Sequence, residues 1–138
     1  MPYSIENIHP LFIHYPIALL STGLFFDLLA ALLNREDLRN AGFWCMLMGI
    51  ISCLLSNFTG LMVFLTGSSL SNLPRFTHAL LAWASTFIFI LLFLARIKLD
   101  VDFSYSTLKR WIYISIHILA VGILFYGAHL GAIAAERI

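Results

Sequence analysis

Four long apolar runs constrain this chain more than any other feature. They cover residues of about 10–33, 41–65, 76–95 and 111–134. Each run can cross a bilayer core of roughly 30 Å, which takes about 20 residues in a helix. Of the 138 residues, 61% are hydrophobic and 11% are charged, so little of the chain remains for a separate soluble domain. The sequence therefore predicts an all-α integral membrane protein, a single four-helix bundle over residues 1–138.

The positive charges between the runs predict the orientation of the bundle. Six of the eight Lys and Arg residues lie in the first and third connections, on one side of the membrane: Arg35, Arg39, Arg96, Lys98, Lys109 and Arg110. The other side holds Arg75 and Arg137. Since the cation-rich side faces the cytoplasm, we expect both termini on the outer, periplasmic side of a bacterial inner membrane. Residues 1–7 contain no Lys or Arg, so we expect no cleaved signal peptide.

The charge and the cysteines argue against several classes of function. The formal net charge is +1 and the cations form no stripe, so nucleic acid is not an expected partner. Cys45 and Cys53 are separated by about 12 Å along a helix, which is too far for a disulfide. The sequence has no Cys-x-x-Cys-His motif for covalent haem, no nucleophile triad and no phosphate loop.

Three histidines on three different helices are predicted to lie at one depth near the outer face. His14 and His129 are each about 6 Å inside the end of their helix, and His78 is about 3–5 Å inside its own. His9 precedes Pro10 on the same side, about 140° around the helix from His14, so we expect it to bond a haem propionate or to cap the helix.

Histidines at a common depth indicate a cofactor site, because a neutral imidazole presents a lone pair to a metal. The leading hypothesis is a membrane b-type cytochrome with haem b bound by two of His14, His78 and His129. It would transfer electrons from a membrane quinol to an outer electron carrier. The first alternative is a non-haem protein that binds or transports zinc, copper or iron through the same three histidines. The second is a scaffold subunit without a cofactor.

A second polar pair lies on the cytoplasmic side of the bundle. Asp27 and His117 are each about 9–13 Å from the cytoplasmic ends of their helices, so they can meet. Ionisable side chains in a bilayer are costly and are therefore candidates for function. The alternatives are a structural contact, part of a proton path, or two separately satisfied groups.

Rows of small residues allow helices in lipid to approach closely. Ser52, Ser56 and Gly60 form one such row, and Gly127 with Gly131 forms another. They indicate packing within the bundle, and the alternatives are a homo-oligomer interface or space left for a cofactor.

The pattern that several of these residues form also resembles the motifs of a known family. Residues 8–19 resemble the opening motif, His-Pro, three residues and then His-Phe-Pro, of the bacterial membrane family called domain of unknown function 2231. Asp27, Thr59, His78 and residues 126–131 are similar to its other polar positions. The resemblance spans the chain and implies a small four-helix membrane protein, without an activity that could be carried over.

Overall fold

The computed structural model describes residues 5–66, 73–98 and 107–134, and within them the side chains of residues 12–63, 65, 75–98 and 107–133. The described chain forms four α-helices: α1 Ile5–Leu33, α2 Glu36–Thr66, α3 Leu73–Lys98 and α4 Thr107–Ala134. All four are long and apolar enough to cross a membrane, and the described residues contain no strand. The predicted all-α membrane fold is therefore confirmed.

Every helix extends beyond its apolar run. The run that begins near residue 41 belongs to a helix that begins at Glu36, where Glu36 and Asp37 lie in the first turn. Acidic side chains at that position interact favourably with the positive end of the helix dipole. Hydropathy marks the part of a helix inside the bilayer core, whereas backbone hydrogen bonding continues into the polar interface.

A tight turn joins α1 to α2. Asn34 has a φ of 52°, the left-handed conformation that asparagine tolerates better than most residues and that commonly ends a helix. Arg35 pairs with Asp37 on the surface just beyond it. The two helices are therefore antiparallel neighbours.

Two helix hairpins make up the bundle. α1 packs closely on α2, and α3 packs closely on α4, whereas the contacts α2–α3 and α1–α4 that join the two hairpins are sparser. Gly49 allows α1 and α2 to pack closely, because a Cβ at this position would overlap the side chain of Leu20. The predicted packing of Gly127 and Gly131 is also found, because both lie against α3.

The distribution of side chains fits a lipid environment. Large apolar side chains such as Leu32, Phe87 and Leu119 are exposed, whereas Asp27 and His117 are fully buried. We call the end of the bundle where α1 and α3 begin the histidine end. The arginine end is the opposite end, where Arg39 and Arg96 lie.

Candidate functional site

A fully buried carboxylate, Asp27, is the centre of a charged cluster near the arginine end. Its Oδ2 accepts hydrogen bonds from Nη1 of Arg96 at 2.9 Å and from the hydroxyl of Tyr113 at 3.2 Å. Nη2 of Arg96 donates to the carbonyl of Arg39 at 2.7 Å. Nδ1 of His117 lies 3.4 Å from Oδ2 of Asp27. We call Asp27, Arg96, Tyr113 and His117 the Asp27 cluster.

Every helix takes part in holding this cluster. Asp27 comes from α1, Arg96 from the last turn of α3, and Tyr113 and His117 from successive turns of one face of α4. On α2, a Cβ at Gly42 would overlap Oδ1 of Asp27, so the glycine leaves room for the carboxylate. The cluster thus connects the two hairpins at the arginine end.

His117 lies next to Asp27, at the level that the two share, but no hydrogen bond joins them. Neither ring nitrogen of His117 has a hydrogen-bond partner among the described residues, and neither has Oδ1 of Asp27. The ring contacts Phe89 and Tyr113 edge to face, with centroid distances of 5.7 and 5.9 Å. A fully buried imidazole with unused nitrogens is costly in a low-dielectric interior. Such a group is a candidate for function.

Arg96 and Tyr113 were missed by the sequence reasoning. Arg96 was assigned to the third connection, which is wrong, because α3 continues to Lys98 and the guanidinium turns inward to the carboxylate. A buried aspartate requires a cation or several donors. A cation within one turn of a helix end is therefore a candidate partner for a buried aspartate.

A cavity of about 40 Å³ lies in the half of the bundle nearer the histidine end. All four helices line it: Ile13, Pro16, Ile17, Cys53, Ser56, Asn57, His78, Ala82, Thr86, Leu124, Gly127 and Ala128. We call it the His78 cavity. Nδ2 of Asn57 donates to Oγ1 of Thr86 at 2.9 Å on its wall, which links α2 to α3. A buried water needs about 10–15 Å³ and a few polar partners, so the cavity has room for a small number of waters.

His78 is half-buried on the wall of this cavity. Its Nδ1 lies 2.7 Å from the carbonyl oxygen of Gly127, and because a carbonyl only accepts, Nδ1 carries the proton. In the neutral ring, the lone pair is then on Nε2. The ring lies against Gly131, where a Cβ would overlap it. A backbone carbonyl that orients an imidazole in this way is common behind metal-ligating histidines.

His14 and His129 are exposed and lie on a different side of the bundle. His14 is nine residues from Gly23, about 180° around α1 from the face that touches α2. His129 is two residues from both Gly127 and Gly131, about 160° around α4 from the face that touches α3. Both histidines therefore lie on the outer surface of the bundle, beside the contact between α1 and α4.

The predicted convergence of the three imidazoles is not found in this arrangement. His78 lines the interior, whereas His14 and His129 lie outside it. Across the part of the chain that the structure describes, no three His, Cys, Asp or Glu side chains are grouped so that they could hold a metal ion. His9 lies on α1, but its side chain is outside the described residues.

Comparison with known protein families identifies the family of this chain. The sequence model of the family described as a predicted membrane protein, DUF2231, matches residues 6–138, which is almost the whole chain. No curated protein and no solved structure matches. The match agrees with the four apolar helices and with the opening motif around His14. The chain therefore belongs to the DUF2231 family of predicted membrane proteins.

Proposed function

We propose that this chain is a membrane electron carrier that binds one haem b between its two hairpins at the histidine end. The axial ligands would be one imidazole from each hairpin: His14 from the first, and His78 or His129 from the second. Haem iron would supply one-electron chemistry, and the protein would supply the ligands, their orientation and a low dielectric. A quinol in the bilayer is the proposed donor and a carrier outside the membrane the proposed acceptor.

The observation that carries the proposal is the hydrogen bond from Nδ1 of His78 to the carbonyl of Gly127. It fixes the tautomer and the plane of the ring, and it assigns the lone pair to Nε2, the nitrogen that commonly ligates haem iron. His78 is therefore the first ligand that we nominate.

The position of His78 also favours a site between the hairpins. Its cavity is lined by all four helices, and the contacts between the hairpins are sparse. The donor types fit haem, but a cavity of about 40 Å³ does not admit a porphyrin. Haem binding would therefore require the hairpins to separate at the histidine end. His14 and His129 would then lie on either side of the opened contact between α1 and α4.

The absorption spectrum of protein purified in mild detergent tests this proposal. A Soret band with sharp bands on reduction is expected, and His78→Ala should lose haem or change its spin state. Tyr126→Ala is the matched control, because Tyr126 is an exposed side chain on α4 close to the same end. His14→Ala tests the ligand from the first hairpin, and His129→Ala tests the alternative to His78 in the second.

Three results would count against haem. A colourless protein that does not take up added haem contradicts the proposal, and so does a full wild-type spectrum in His78→Ala. A colourless protein with stoichiometric zinc, copper or iron would favour the non-haem alternative.

A further inference from the structure

Along α3, Phe89 lies between Thr86 on the wall of the His78 cavity and Arg96 of the Asp27 cluster. Along α3, Thr86 borders the cavity and Phe89 follows about 4.5 Å further along the axis. Phe89 is fully buried, and its ring contacts the ring of His117. Polar groups with room for water therefore lie on one side of Phe89, and an imidazole with unused nitrogens lies on the other.

The surroundings of His117 define its charge balance. Asp27 on α1 is the carboxylate beside it, and Arg96 on α3 is the cation that neutralises this carboxylate. On its own helix the neighbour is the hydroxyl of Tyr113, which also lies 3.6 Å from the sulfur of Met46. From α2, the thiol of Cys45 lies near enough to interact electrostatically with Asp27. Arg39 on the same helix accepts a hydrogen bond from Arg96 through its carbonyl and has its side chain 4.0 Å from Glu36. Asp27 and Arg96 compensate each other's charge. A proton added to His117 would therefore add a positive charge that this pair does not compensate, until the proton moved on.

We propose that His117 is a proton-transfer group between the His78 cavity and the Asp27 cluster, and that Phe89 closes its access to the cavity. When Phe89 turns aside, water from the cavity reaches the ring, and Nε2 takes up a proton. The Nδ1 proton passes to the carboxylate of Asp27, which releases it to water at the arginine end. Exchange with water, in which Nε2 gives up its proton and Nδ1 takes one up, then restores the starting tautomer. One proton moves, and only N–H and O–H bonds form or break.

Three observations support this sequence of steps. Nδ1 of His117 lies 3.4 Å from Oδ2 of Asp27, so a small rotation makes the hydrogen bond along which the proton would pass. Oδ1 of Asp27 has no partner among the described residues and keeps acceptor capacity while Arg96 holds Oδ2. The aromatic ring of Phe89 on α3 contacts the ring of His117. The proposal does not depend on haem.

Proton entry into liposomes tests it. The full chain is reconstituted with a trapped pH-sensitive dye, and proton influx is driven by a potassium diffusion potential set with valinomycin. Wild-type protein should conduct slowly, because Phe89 closes the path. Phe89→Ala should conduct several-fold faster, and Phe89→Ala with His117→Gln should return to the wild-type rate. Phe87→Ala is the control, since Phe87 is a lipid-exposed phenylalanine of the same helix.

The outcomes separate proton transfer from a simple leak. Equal rates in Phe89→Ala and in the double variant would overturn the role of His117, because glutamine cannot transfer protons in the same way. A wild-type rate in folded Phe89→Ala would overturn the role of Phe89. Release of a trapped neutral dye should stay at the wild-type level in every variant.

Two further measurements keep the proposal testable if Phe89→Ala does not fold. Phe89→Val removes less volume and should give a smaller rise in proton influx. In wild-type protein, ¹⁵N NMR of the His117 ring should show the proton on Nδ1, facing Asp27. A ring that carries its proton on Nε2 would contradict the transfer step directly.

Discussion

Replacement of Arg96 by methionine should greatly destabilise the bundle. The side chains of Arg96 and Asp27 are only 6% and 0% exposed, so this pair belongs to the class of buried ion pairs. Removal of one partner from such a pair costs about 3–5 kcal/mol, because the other charge stays buried without compensation. Arg96→Met keeps most of the volume and removes the guanidinium. The free energy of unfolding should therefore fall by about 3–5 kcal/mol.

Reversible unfolding in mixed micelles with increasing sodium dodecyl sulfate, followed by circular dichroism, measures this loss. Arg35→Met is the matched control, because it breaks the exposed Arg35–Asp37 pair on the surface and should change little. The double variant Asp27→Leu with Arg96→Met removes both charges and should recover most of the loss. An Arg96→Met protein as stable as wild type would refute the assignment of a buried, charged pair.

Two further predictions concern glycines. Gly42→Ala should lower the free energy of unfolding by about 1–3 kcal/mol, because its Cβ would overlap the carboxylate of Asp27. Gly131→Ala should displace the ring of His78 and weaken the uptake of added haem, measured by absorption titration. Gly122→Ala is the control for both, since a Cβ there meets nothing within 4 Å and should leave stability and haem uptake unchanged or slightly raise stability. A Gly42→Ala or Gly131→Ala protein that behaved like Gly122→Ala would contradict these contacts.

Position along each helix could be predicted from the sequence, whereas rotation about each helix axis could not. The apolar runs predicted the four helices, because the thickness of the bilayer sets their length. The same counting gave Asp27 and His117 a common level at which they could meet, and their side chains lie 3.4 Å apart. In water, an apolar stripe reveals which face of a helix is buried. In lipid the outer face is apolar too, so no such stripe separated exposed His14 and His129 from half-buried His78.

Arg96 shows a second limit of the sequence reasoning. A cation near a helix end usually reaches toward the headgroups, so Arg96 was counted only for orientation. The partner that turns it inward lies 69 positions earlier in the chain. A sequence read one helix at a time does not reveal such a contact.

The separation of Asp27 and Arg96 between hairpins has a consequence for biogenesis. The first hairpin leaves the ribosome before α3 does, so we expect Asp27 to enter the bilayer before Arg96 can pair with it. Docking of the second hairpin supplies that cation and completes the charge balance in one step. Two separately expressed halves, each containing one hairpin, should therefore assemble in the same membrane, and the half that carries Asp27 should be degraded when it is made alone.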